Sequence, residues 1–244
     1  MSGLLEARPG LLVLIDPARS AAAEAGVLAR AVAASGIAGI LIGSSFDGAG
    51  DSHDVALAVR ENAPALPIAL FPGSAMQLTD AVDLILFLCL VSGRNPQYLI
   101  EEHVRAVPFL RAHPVPTLST GYILIDGGRV TSVEAVTQTR PLPADKPELA
   151  AATAMAARLI GMGAVYLDAG SGAERPVPPA VIRACREVLG AEAVLFVGGG
   201  IRTPAQATLA RDAGADFVVI GSMLEQTGGV DAGRLAAMVA AVTP

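Results

Sequence analysis

Two acidic residues stand where an apolar run gives out: Asp16 ends LLVLID (11–16), and Asp168 sits inside VYLDAGSGA (165–173). A carboxylate in such a place is costly unless it is paired, hydrogen-bonded or bound to a cation. For Asp16 a hard oxygen ligand suits Mg2+, which commonly takes one carboxylate and completes its shell with substrate phosphate oxygens. The plainer alternative is a cap on the helix that follows. Asp168, among glycines, is placed to take a proton from a hydroxyl as a general base, or else to accept from loop amides. Gly198, Gly199 and Gly200 lead into Ile201-Arg202-Thr203-Pro204, and Gly221-Ser222 forms a second such loop. Bare backbone N–H groups at helix starts suit a phosphate. One glycine would be a tight turn; three in a row, paired with a second loop, point to a bound phosphate. Many enzymes share that feature, so it leaves the reaction type open.

Other chemistry finds little support. His53, His103 and His113 show no metal-ligand spacing and read as solvated surface positions. The chain has no nucleophile elbow, Walker loop or Cys/His triad signature. Cys89 and Cys185 fall in apolar segments and read as buried free thiols of a reducing cytoplasm.

The elements that would position these groups alternate along the chain. Apolar runs at 11–16, 39–44, 67–73, 84–89, 116–126, 164–170, 193–200 and 217–222 read as strands covered on both faces. Helical spacing recurs near 20–35, 52–62, 96–112, 147–161, 178–189, 204–213 and 231–242, with Asp51 or Ser52 and Thr203-Pro204 as starts. SAMQLTDAVD (74–83) is too short for a full crossover helix. This order leaves a closed barrel or an open doubly wound sheet. Eight strands in 244 residues favour a (β/α)8 barrel, irregular at its third crossover. No composition break divides residues 1–244, so one domain is expected.

A net charge of -6 and 4% aromatics without Trp argue against a nucleic-acid partner. The start shows no signal-peptide pattern, and the longest apolar run, LILFLCLV (84–91), falls far short of the roughly 20 residues of a membrane span. A cytoplasmic protein without stable membrane insertion is expected. The mean hydropathy of +0.54 is high, which suggests an apolar cavity, an oligomer interface or a membrane-facing mouth.

Taken together, LIDPAR (14–19), ILIGSS (40–45), LFPGSAMQL (70–78), SGRNPQYLIEEH (92–103), TGYILIDGG (120–128), VYLDAGSGAERPVPP (165–179), VGGGIRTPAQA (197–207) and GADFVVIGSMLE (214–225) resemble the geranylgeranylglyceryl phosphate synthase family, including its bacterial heptaprenylglyceryl relatives. The resemblance covers nearly the whole chain. It implies a modified TIM barrel with an irregular or missing third helix, working as a homodimer in phospholipid biosynthesis. It further implies Mg2+-dependent transfer of a prenyl group from an allylic diphosphate to the hydroxyl of sn-glycerol 1-phosphate, forming an ether. The family's acceptor site falls on Tyr166, Asp168, Gly170, Ser171, Gly198, Gly199, Gly200, Gly221 and Ser222, with Asp168 as the base. Its metal site falls on Asp16 and Ser45. The Leu-rich fourth strand and the chain after it would line the prenyl groove.

Three positions depart from the family pattern. Ala18 and Arg19 follow Asp16-Pro17 where the family has Asp-Lys, so one carboxylate is lost. Gly43-Ser44 stands for Gly-Gly, and Asp168 stands for Glu, one methylene shorter. A retracted carboxylate would leave room for a bulkier or anionic acceptor. That keeps 3-phosphoglycerate open, the acceptor of a related enzyme of moenomycin phosphoglycolipid biosynthesis. The loss at Ala18 keeps open a catalytically weakened phosphate-binding barrel. Prenyl length is not legible.

Overall fold

The computed structural model describes residues 3–46, 50–221 and 231–243. Its strands are β1 (Gly10–Ile15), β2 (Gly39–Ile42), β3 (Ile68–Leu70), β4 (Leu84–Cys89), β5 (Thr117–Leu124), β6 (Ala164–Asp168), β7 (Val194–Gly198) and β8 (Phe217–Ile220). Each pairs in parallel with the next, and β8 pairs with β1, closing a barrel. The eight expected runs are all strands. Most end a few residues early, because their Gly-, Ser- and Pro-rich tails leave the ladder at the barrel rim.

The helices are α1 (Gly3–Glu6), α2 (Ala22–Ala33), α3 (Ser52–Asn62), α4 (Glu102–Ala112), α5 (Ser132–Thr137), α6 (Pro147–Leu159), α7 (Pro179–Leu189), α8 (Pro204–Asp212) and α9 (Ala232–Val242). The short α1 and α5 were not expected: at four and six residues neither carries a helical period long enough to read. A π-helical turn, Gln97–Glu101, opens into α4, and such turns often sit at functional sites. Thr203 caps α8 as expected: its hydroxyl accepts from the Gln206 amide and the Gln206 side chain accepts from the Thr203 amide. Asp51 stands at the start of α3 but makes no side-chain cap bond, since its backbone is already helical. Among the described residues no helix is long and apolar enough to cross a membrane.

Between β3 and β4 there is only a single 3-10 turn, Ala75–Gln77, in keeping with the short 74–83 stretch. Gln77 compensates for the missing helix. Buried to 2% exposure, it accepts from the Gly73 amide at 2.8 Å and donates to the Ser44 carbonyl at 3.0 Å, stitching the ends of β2 and β3 together.

Alternation along the strands divides the apolar residues into two layers. Leu11, Val13, Ile15, Ile40 and Ile42 face the helices. Leu12, Leu41, Ala69, Leu86, Tyr122, Tyr166, Phe196, Phe217 and Val219 fill the barrel, and Leu4 of α1 joins them at the end where the strands begin. Both cysteines are buried, and burial pushes the Cys185 thiol up to about 12.

Candidate active site

The inward phase of each strand leads to the rim where the strands end. Along β1 the inward series is Leu12, Leu14 and then Asp16; after β2 it is Leu41, Gly43 and Ser45; along β6 it is Ala164, Tyr166 and Asp168; along β8 it is Phe217, Val219 and Gly221. A cleft of about 240 Å3 opens there. Asp16, Ser45, Tyr166, Asp168, Ser171, Gly199, Gly200 and Gly221 all line it. Gly170 and Gly198 do not reach its wall, and Ser222 lies outside the described residues. The Gly170 amide is taken up by Asp168, and a side chain at Gly198 would strike the Tyr166 hydroxyl.

Asp168 is only 8% exposed. Its Oδ2 accepts from the Tyr122 hydroxyl at 2.6 Å and its Oδ1 from the Gly170 amide at 2.7 Å. Burial raises its pKa above the ordinary 3.8, and the two hydrogen bonds offset part of that rise. Burial also drives Tyr122 well above 10, so it remains a donor. A carboxylate with a raised proton affinity, held in place by two donors, suits a general base. Gly199 abuts it in the left-handed region at φ +81°, where a Cβ would come within 2.5 Å of Asp168 Oδ1. Only glycine allows this approach.

On the other side of the mouth, Asp16 Oδ1 accepts from the Ala18 amide at 3.0 Å, and Oδ2 lies 3.5 Å from Arg19 Nε. Asp16 therefore closes a local turn and does not cap α2, whose N-cap is Ala21, and its carboxylate lines the cleft. Among the described residues no three His, Cys, Asp or Glu side chains gather as a metal site. Asp16 and Ser45 both line the cleft, and one carboxylate with a hydroxyl would fit a Mg2+ ion that takes most of its oxygens from substrate and water.

The cleft continues into an apolar arm. Leu88 and Leu90 line it from inside the barrel, while Ile85 and Phe87, in the opposite phase of β4, line it with Leu78, Tyr98, His103 and Ala106. The arm thus passes from the barrel mouth to the outer face of β4, where a regular third helix would have packed. Glu102 secures its edge: it accepts from the Ala75 amide and from the side chains of Gln97 and Arg105. His103 corrects the surface reading. It lines the arm edge-on to Phe87 at 4.6 Å, and burial lowers its pKa, so the ring is neutral. The reading stands for His53 and His113, which are half-exposed and share Asp80.

Sequence reasoning missed Tyr122, Phe71, Arg202 and Arg234, which line the cleft, and Gln77, which ties the loops beside it. The Arg202 guanidinium donates to the Ala173 carbonyl, and Arg234 donates to the Arg202 carbonyl. Tyr122 and Phe71 had a legible signal, since each is an aromatic residue in the inward phase close to the rim. Gln77 had none, because its partners are backbone groups of two other loops.

A sequence profile of the PcrB family matches residues 4–242. A geranylgeranylglyceryl phosphate synthase from Spirosoma linguale is 38% identical over 222 residues, covering 91% of this chain and 88% of its own. One from Cenarchaeum symbiosum is 40% identical over 223 residues, covering 91% and 88%. The crystal structure of (S)-3-O-geranylgeranylglyceryl phosphate synthase from Thermoplasma acidophilum, in complex with its substrate sn-glycerol-1-phosphate, superposes with a TM-score of 0.91 at 28% identity, covering 99% of this chain and 98% of that one. With nearly its whole length matched by the profile and its closed barrel shared with these relatives, the chain belongs to the PcrB family.

Proposed function

We propose that this chain is a prenyltransferase that joins the prenyl group of an allylic diphosphate to the hydroxyl of sn-glycerol 1-phosphate through an ether bond. One observation carries the reading: a single cleft has a buried carboxylate among glycine loops at one end and an apolar arm leaving from the other. The glycine loops after β7 and β8 would hold the acceptor's phosphate by backbone amides. Anchored by that tail, the acceptor presents its hydroxyl to Asp168 with orientation already fixed. The C–O bond of the allylic diphosphate breaks with its electron pair leaving on the diphosphate, the acceptor oxygen bonds to the allylic carbon, and Asp168 takes the hydroxyl proton. Asp16 and Ser45 would hold Mg2+, which when bound supplies positive charge against the departing diphosphate. The arm along β4 and α4 would take the prenyl tail and exclude water.

The decisive experiment is incubation with farnesyl, geranylgeranyl or longer prenyl diphosphates, each with sn-glycerol 1-phosphate or 3-phosphoglycerate, in Mg2+ or in EDTA, read by mass spectrometry. The expected product is the glycerol phosphate ether, formed in Mg2+ alone. No ether with any pair overturns the reading. The 3-phosphoglycerate arm is included because Asp168, one methylene shorter than the family's Glu and held by Tyr122 and Gly170, would leave more room at the acceptor end.

A further inference from the structure

We infer that the outward face of Phe71 is the platform on which the allylic carbon of the donor bears its positive charge; this rests on the prenyl transfer proposed above. Four rings run up the barrel in nearly parallel planes. Phe217 stacks on Phe196 at 5.2 Å, Phe196 on Tyr166 at 5.9 Å, and Tyr166 on Phe71 at 4.6 Å, with interplanar angles of 18°, 12° and 24°. The lower three are all but fully buried, at 0%, 0% and 1% exposure. Phe71 alone of the stack is partly exposed, and with Tyr166 it lines the cleft. Tyr166 takes one face of the ring and Tyr122 lies tilted beside it at 6.0 Å, and the partly exposed remainder borders the cleft.

Its position is built rather than incidental. Phe71 follows β3 in the inward phase, after Ala69. A side chain on Gly43 would collide with the Phe71 carbonyl, so the two backbones touch. Gln77 holds the next turn through the Gly73 amide. The ring therefore stands between the loop that carries Ser45 and Tyr166, two residues before Asp168. An apolar ring at the centre of a polar mouth gives up burial that a helix-facing position would provide. What it offers in return is a π face, which attracts a cation within about 6 Å of its centroid.

The chemistry calls for such a face. As the allylic C–O bond breaks, the electron pair leaves on the diphosphate oxygen and the carbon becomes electron-poor until the acceptor oxygen closes on it. A second carboxylate beside that carbon would capture it covalently; a ring face stabilises the charge and offers no lone pair to bond with. The stacked rings beneath keep the platform flat and dry.

The test separates charge from packing. Phe71 is replaced by mono-, di- and trifluorophenylalanine, which keep its shape while draining its π face. Calorimetry then compares two donor analogues: a prenyl amine whose ammonium stands at the reacting carbon, and the uncharged hydrocarbon of the same length, both with inorganic pyrophosphate. The ammonium analogue should weaken stepwise, by roughly tenfold across the series, while the hydrocarbon is unchanged. The variant Phe71→Leu should lower kcat about tenfold with little change in either KM. A flat series, a parallel loss for both analogues, or wild-type protein that prefers the hydrocarbon overturns the inference. Stepwise weakening without ether formation would instead remove the proposed acceptor chemistry and leave the cation site standing.

Discussion

The two sides of the mouth are built by opposite means. On the side of β6, β7 and β8, the cleft is bordered by glycine loops, a carboxylate fixed by two donors, and the cationic side chains of Arg202 and Arg234. On the side of β1 to β4, the cleft is walled by side chains, and its loops are tied by Gln77 and Glu102 in place of a helix. The contrast follows from what each side would bind. A small anion needs a few donors at fixed points, and backbone provides them with the least freedom to lose. A long hydrocarbon needs area, which only side chains and an uncovered sheet face can provide.

The largest effect is expected from Asp168→Asn on the acceptor side. Turnover should fall roughly 10²–10⁴-fold, whereas the fold should gain stability. Asp168 has a raised pKa in the folded chain, so its contribution is most favourable at low pH and is lost as pH rises above 3.8 and through the raised value. The Tm advantage of the variant should therefore grow with pH over that interval, and thermal melts at several pH values will show it. An equal loss of stability at every pH would mean that the carboxylate is structural.

Next comes Gly199→Ala. A Cβ within 2.5 Å of Asp168 Oδ1 and 2.6 Å of the Gly170 nitrogen, at φ +81°, should cost about 1–3 kcal/mol in unfolding free energy. The KM for the phosphorylated acceptor should rise while that for the prenyl diphosphate holds. Smallest is Gln77→Ala, which frees the β2 and β3 loops. It should raise the KM for the prenyl diphosphate by about fivefold, in line with roughly 1 kcal/mol for the lost bonds, and leave the acceptor KM alone. If either variant shifts both KM values together, the two sides are not separable.

Much of this was open to reading along the chain. The barrel followed from eight apolar runs with helical spacing between them, and the weak third crossover from ten residues that cannot make a helix. Asp16 and Asp168 could be singled out because a carboxylate at the end of an apolar strand must meet something, and Ser45 only through the family resemblance. What could not be read were contacts between loops far apart in sequence. Tyr122 and Asp168 are 46 residues apart and meet only because β5 and β6 lie side by side. The resemblance set Gly170 in the acceptor site, and its amide donates to Asp168, a contact made by the local turn and invisible in composition. His103 misled because helical spacing does not say which face a neighbouring gap leaves uncovered.

One consequence belongs to β4. Its inward residues Leu88 and Leu90 border the cleft from inside the barrel, while Ile85 and Phe87 border it from the reverse side of the strand. In an enzyme that works as proposed, reactor and ruler share a single strand but not a surface. Substitutions on the reverse side of β4 and on α4 can then reset the length of lipid admitted without disturbing the groups that make the bond, and relatives could diversify their products by remodelling one wall.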